Sequence, residues 1–122
     1  MEKTGRPLRC RTPEDWRTWL ERNHDSKDGV WLMIGKKGSK IRLVTLGQAT
    51  EEALCFGWID SAMRPVDDDH FVLRYTPRRK GSNWSARNVA LAERMIEEGR
   101  MTEAGLEEID SAKRSGRWEV ST

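Results

Sequence analysis

The segment RYTPRRKGSNWSARN, residues 74–88, holds five basic side chains and no acidic one. Guanidinium groups bind phosphate or carboxylate through charge-assisted, often paired hydrogen bonds. Backbone N–H groups at a helix start add a partial positive charge. The segment runs from a strand-like stretch into a helical pattern that begins around Trp84, which predicts an anion site at a loop-to-helix junction. Arg78 and Arg79 would supply the charge, Ser82 and Ser85 hydroxyls, Asn88 an amide, and Gly81 a close backbone approach. At about 100° per residue, Trp84, Asn88, Leu91, Ala92 and Met95 share one helical stripe, with Ser85 flanking it. Polar groups on that face need partners, which a pocket floor would provide. The competing reading makes Ser82 or Asn83 a plain helix cap and leaves the arginines in solvent.

Other chemistry-bearing residues fit that frame less directly. Trp58 and Asp60 fall on one face of a strand with Ala62 beyond, so Trp58 and Trp84 would wall the pocket. Asp60 would pair with Arg74 across a hairpin or orient Arg78. Cys55 is the obvious thiol, but it lies at a helix C-terminus, where the dipole disfavours a thiolate. Neither His24 nor His70 is placed beside it by spacing, so an enzyme built on Cys55, Asp60 or Ser85 lacks a paired base, and Cys55 reads as a packing residue. Asp67, Asp68, Asp69 and His70 lack the spacing of a calcium loop or a zinc site and read as a solvated turn. Lys113 interrupts the apolar stripe of Leu106, Ile109 and Ala112, as a lysine that snorkels to water does. Nothing in these patterns calls for a metal or a cofactor.

The elements that must hold these residues are legible from caps and periodicity. Thr12-Pro13-Glu14-Asp15 starts a helix ending near Asn23, with Trp16, Trp19 and Leu20 on one face. GVWLMIGK, residues 29–36, reads as a strand and IRLV, residues 41–44, as a short partner strand. Thr45 and Gln48 form a capping box for a helix carrying Leu46, Ala49, Ala53 and Leu54, which Gly57 stops. WIDSAMRPV and FVLRYTPR form a hairpin in which Phe71, Leu73 and Tyr75 alternate with Val72, Arg74 and Thr76. A helix from Trp84 to Gly99 and a last helix opened by Met101 and Thr102 complete the chain. The expectation is an α+β fold: one domain, a small mainly antiparallel sheet packed by helices.

Composition bounds the function. The 122 residues suffice for one core, and six tryptophans spread from Trp16 to Trp118 offset a charged share of 34%. Residues 1–11 and 119–122 are expected to be flexible. A net charge of +2 does not by itself imply nucleic acid, yet two basic patches, Lys36–Arg42 and Arg74–Arg87, keep a nucleic-acid-binding domain open as an alternative. Two cysteines make no disulfide framework, and no apolar run suggests a signal or a membrane span, so a cytoplasmic protein without membrane insertion is expected.

Four motifs carry a family resemblance: ALCFGWID at residues 53–60; Thr76–Arg79 with Ser82, Trp84, Ser85 and Asn88; Gly99–Met101 with Gly105; and Ala112, Lys113 and Gly116–Trp118. In these the chain resembles the YdeI/OmpD-associated, or bacteriocin-protection, family. The resemblance implies a YjbR/CyaY-like α+β fold and a link to tolerance of cationic antimicrobial peptides, and it attaches no reaction. Many such proteins continue into a small helical domain after the GRW element, which this chain is expected to lack. Taken together, the sequence points to a non-catalytic domain with a pocket for a small anionic ligand, formed by Arg78, Arg79, Ser82, Trp84, Ser85, Asn88, Trp58 and Asp60.

Overall fold

A computed structural model describes residues 7–26, 28–40, 42–79 and 83–118. Its elements are α1 (Pro13–Asn23), β1 (Val30–Gly35), α2 (Leu46–Cys55), β2 (Trp58–Pro65), β3 (His70–Pro77), α3 (Ala86–Glu97) and α4 (Glu103–Arg114). The strands form one antiparallel sheet in the order β1-β3-β2, so the fold is α+β.

Each helix starts where a side chain satisfies an orphan N–H. Thr12 accepts from the Asp15 N–H ahead of Pro13, and acids occupy the first turn of α1. Thr45 and Gln48 make the reciprocal capping box of α2, with bonds of 3.2 and 3.1 Å. Ser85 and Thr102 cap α3 and α4. Gly57, at φ +77°, ends α2 and turns the chain directly into β2.

The helices crowd one face of the sheet. Trp16 and Leu20 of α1 and Ala49 and Ala53 of α2 meet Leu32, Ile34, Leu73 and Tyr75 in the main core. Burial of each large apolar side chain there contributes about 1.5–3 kcal/mol. The polar edges of the buried rings are satisfied: the Trp16 indole donates to the Ala49 carbonyl, and the Tyr75 hydroxyl meets Thr50 at 3.1 Å. A second cluster joins Leu54, Trp84, Ala92, Ile109, Ala112 and Trp118, fastening α3 and α4 to α2.

Three sequence expectations change. Residues 42–45 form no strand; Val44 instead exchanges backbone bonds with Cys10 and Gly35. The free edge of β1 is already taken, because Leu8 accepts from the Met33 N–H and donates to the Trp31 carbonyl. For the same reason the stretch from residue 7 to residue 11 is tied down, with Cys10 only 3% exposed. Helix α3 begins at Ala86, which puts Trp84 and Ser85 before it rather than on its inward stripe. Ser82 and Gly81 lie outside the described residues.

Candidate functional site

The helices pack on one face of the sheet; on the other, Leu43 covers Met33 and Val72 and the rest is the more open face. Alternation sends Trp31 and Met33 of β1, and Val72, Arg74 and Thr76 of β3, to that side. On β2 a register shift between Asp60 and Ala62 changes the alternation: Asp60 lies opposite Tyr75, whereas Ala62 lies opposite Arg74. The bulge thereby delivers Ile59, Ser61, Ala62 and Arg64 to the open face. It also separates Asp60 from Arg74, so the expected ion pair across the hairpin does not form: the two point to opposite sides of the sheet.

At one end of this face is a cleft of about 520 Å³ lined by Gly29, Ile59, Ser61, Arg74, Thr76, Pro77 and Arg79. Gly29 permits its shape. A Cβ there would stand 2.5 Å from the Thr76 methyl and 2.7 Å from the Tyr75 carbonyl. Two guanidinium groups and two hydroxyls therefore share a lining that holds no carboxylate, imidazole or thiol. Neither Arg74 nor Arg79 forms an ion pair with a carboxylate among the described residues. Such a set can receive an anion's oxygens through charge-assisted bonds.

The residues singled out by sequence fall into three places. Arg79 is exposed and lines this cleft. Asp60 and Asn88 line a second cleft of about 320 Å³, together with Glu51, Arg87 and Arg94, where acids and bases balance. Arg78, Trp84 and Trp58 are buried. The Arg78 guanidinium lies 3.7 Å over the Trp84 ring, Trp84 packs on Trp118 at 4.9 Å, and Lys113 covers Trp118 from 5.3 Å. Lys113 thus ends a cation–aromatic stack besides reaching water. Burial pulls the Arg78 pKa down to about 10, against the opposing pull of Glu108 and Asp60. Ser85 is spent on its cap, accepting from the Asn88 N–H, and is exposed. Trp58 donates to the His24 carbonyl and abuts Trp19 edge-on.

The sequence reading missed two groups. Arg74, Thr76 and Ser61 belong to the cationic cleft; the alternation of β3 already pointed Arg74 and Thr76 away from the core, but nothing local announced the bulge that brings Ser61 beside them. The second group is a set of ion pairs around Glu52, which is 5% exposed. Arg17 and Arg100 bond its two carboxylate oxygens at 2.8 and 2.7 Å, and Arg17 also donates to the Arg100 carbonyl. Glu51, Glu98 and Arg94 extend the set outward. Beside it Cys55 is fully buried, and burial pushes its thiol up, so the protonated, unreactive form prevails. The Cys55 carbonyl accepts from both the N–H and the hydroxyl of Thr102, and Gly105 leaves no room for a side chain against it.

The turn of acids before β3 is more structured than a solvated loop. Asp67 accepts from the N–H groups of Asp69 and His70 and from the His70 ring, all within 3.0 Å, which holds its carboxyl below the usual range. The other ring nitrogen of His70 meets Ser39 at 3.4 Å. The order carboxylate–imidazole–hydroxyl is that of a hydrolytic triad. Here, though, Asp67 is open to solvent and neither cleft reaches the three residues, so they serve to lock the hairpin turn to the loop after β1. Among the described residues no group of side chains has the makings of a metal site, and no helix is long and apolar enough to cross a membrane.

A family model described as a domain of unknown function, DUF8412, matches residues 8–108. The chain belongs to that family. The matched span contains the whole sheet, both clefts and the ion pairs around Glu52. No curated protein and no solved structure matches.

Proposed function

We propose that this chain is a non-catalytic domain that binds a small anion, a phosphate or carboxylate group, in the cleft of Arg74 and Arg79. One observation carries the reading: among the described residues, Arg74 and Arg79 line a cleft with Ser61 and Thr76 and without a single acid. Four other arginines already have partners. Arg17, Arg94 and Arg100 are each bonded to glutamates, and Arg78 lies on an indole ring. The second cleft, which already mixes Asp60 and Glu51 with its arginines, is the poorer host for a negative ligand.

The resemblance to YdeI/OmpD-associated proteins widens the proposal to a cytoplasmic role connected with tolerance of antimicrobial peptides. Two buried free thiols, Cys10 and Cys55, support a reducing compartment. The test is an amide NMR titration with inorganic phosphate, pyrophosphate and acetate. Saturable shifts confined to Gly29, Ser61 and residues 74–79, weakened about ten-fold by Arg79→Ala, are expected from loss of one charge-assisted contact. Shifts centred on Asp60 and Asn88, or none, would sink the reading.

A further inference from the structure

The cationic cleft is one end of a longer surface. Moving along the open face from the cleft, the first row across the sheet is Trp31, Arg74 and Ala62, and the next is Met33, Val72 and Arg64. Trp31 is half-buried and packs against the small cluster of Met33, Leu43 and Val72, which fixes its ring on the sheet. The Arg64 guanidinium lies 4.9 Å above that ring and Arg74 6.0 Å from it. An indole between two arginines at the uncovered part of this face, continuous with a pocket holding a third, has two complementary parts. The ring and its arginines offer planar surfaces to a flat partner, and the cleft offers cations to an anion. The arginines have no carboxylate partner among the described residues.

We infer that this face binds single-stranded nucleic acid, with backbone phosphate at Arg74 and Arg79 and a base stacked at Trp31 and Arg64. The inference rests on the anion reading above and names its ligand class. Bases stack on aromatic rings and on guanidinium planes alike, and a groove of cations beside such a platform tracks the backbone without reading sequence. Arg64 is exposed and held to the ring by a cation–π contact alone, so a base can take its place while the guanidinium moves to a phosphate. A duplex, whose bases are stacked internally, cannot use the platform. A free phosphate or a protein carboxylate uses only the cleft.

The experiment is fluorescence anisotropy with end-labelled thymidine and uridine oligonucleotides of about eight residues, within the roughly 4–16 nucleotides that one single-strand-binding OB-fold covers. Phosphate, pyrophosphate and a matched duplex serve as competitors. With three arginines engaged, the slope of log affinity against log salt should be about −2, so doubling the salt weakens binding about four-fold. Arg64→Ala should weaken the oligonucleotide about ten-fold and leave the phosphate titration of the cleft unchanged; Trp31→Phe, which keeps a flat ring, should retain most of the binding. If phosphate shifts the cleft but the oligonucleotide binds no tighter than pyrophosphate, or the duplex competes equally, this inference is wrong and the anion reading stands. If neither phosphate nor oligonucleotide binds, both fall.

Discussion

Two regions of this domain are built from arginines, and they use them in opposite ways. Between α1, α2 and the turn into α4, Arg17 and Arg100 converge on Glu52, each with about a third of its side chain exposed and with both terminal guanidinium nitrogens bonded to an acid or a carbonyl. On the open sheet face, Arg74 and Arg79 stand beside hydroxyls with no acid among the lining residues. The first arrangement spends its charge internally and joins three parts of the chain; the second leaves its charge facing a cleft. A guanidinium is left available to a ligand only where the surrounding carboxylates have been kept away.

The neighbours Arg78 and Arg79 repeat the contrast within one dipeptide. Pro77 closes β3, and the chain leaves the sheet with Arg78 turned onto Trp84 and its N–H bonded to the Gly57 carbonyl at 3.0 Å. Arg79 is turned the other way, into the cleft.

The largest effect is expected from removing the acid at the centre of the first region. Glu52→Ala should destabilise the domain by about 3 kcal/mol in urea unfolding, because it removes the buried carboxylate that joins Arg17 to Arg100. A loss below about 0.5 kcal/mol, the range of ordinary surface changes, would show that the ion pairs do not hold the fold. Next comes the dipeptide. Arg78→Ala should cost about 2 kcal/mol through lost packing and the cation–π contact with Trp84, whereas Arg79→Ala should stay within about 0.5 kcal/mol of wild type while losing phosphate binding. Equal stability losses in the two variants would erase the distinction drawn between them.

Gly29→Ala sharpens the geometry of the cleft. Its new methyl must push against Thr76 and the Tyr75 backbone, so overpacking should cost about 1 kcal/mol and weaken phosphate binding together. Unchanged phosphate affinity would mean that the anion sits elsewhere. The smallest effect concerns pH. The folded-state pKa of Asp67 lies below its unfolded value of about 3.9, so its contribution is fully present above pH of about 4 and fades as pH falls through the folded value. Acid unfolding of Asp67→Asn should lack that part of the slope, while the cleft's phosphate binding remains unaltered.

Local signals located most of the elements. Thr12, Thr45 and Thr102 opened their helices because capping is decided within four residues, and the alternation of Phe71, Leu73 and Tyr75 fixed the core face of β3 for the same reason. The basic content of residues 74–88 likewise placed positive charge at the end of β3, beside the cleft. Which arginine faces it was beyond local reach. Arg78 is taken by an aromatic ring six residues on, and the neighbours of Arg74 depend on a bulge in a different strand. The IRLV strand failed on another distant fact, the occupation of the β1 edge by Leu8. Residue types and short spacings thus determined the caps, the sheet's two faces and the supply of positive charge, because those depend on neighbours along the chain. Only the tertiary structure decided which charges are spent and which remain open, because a carboxylate that neutralises an arginine can come from any part of the sequence.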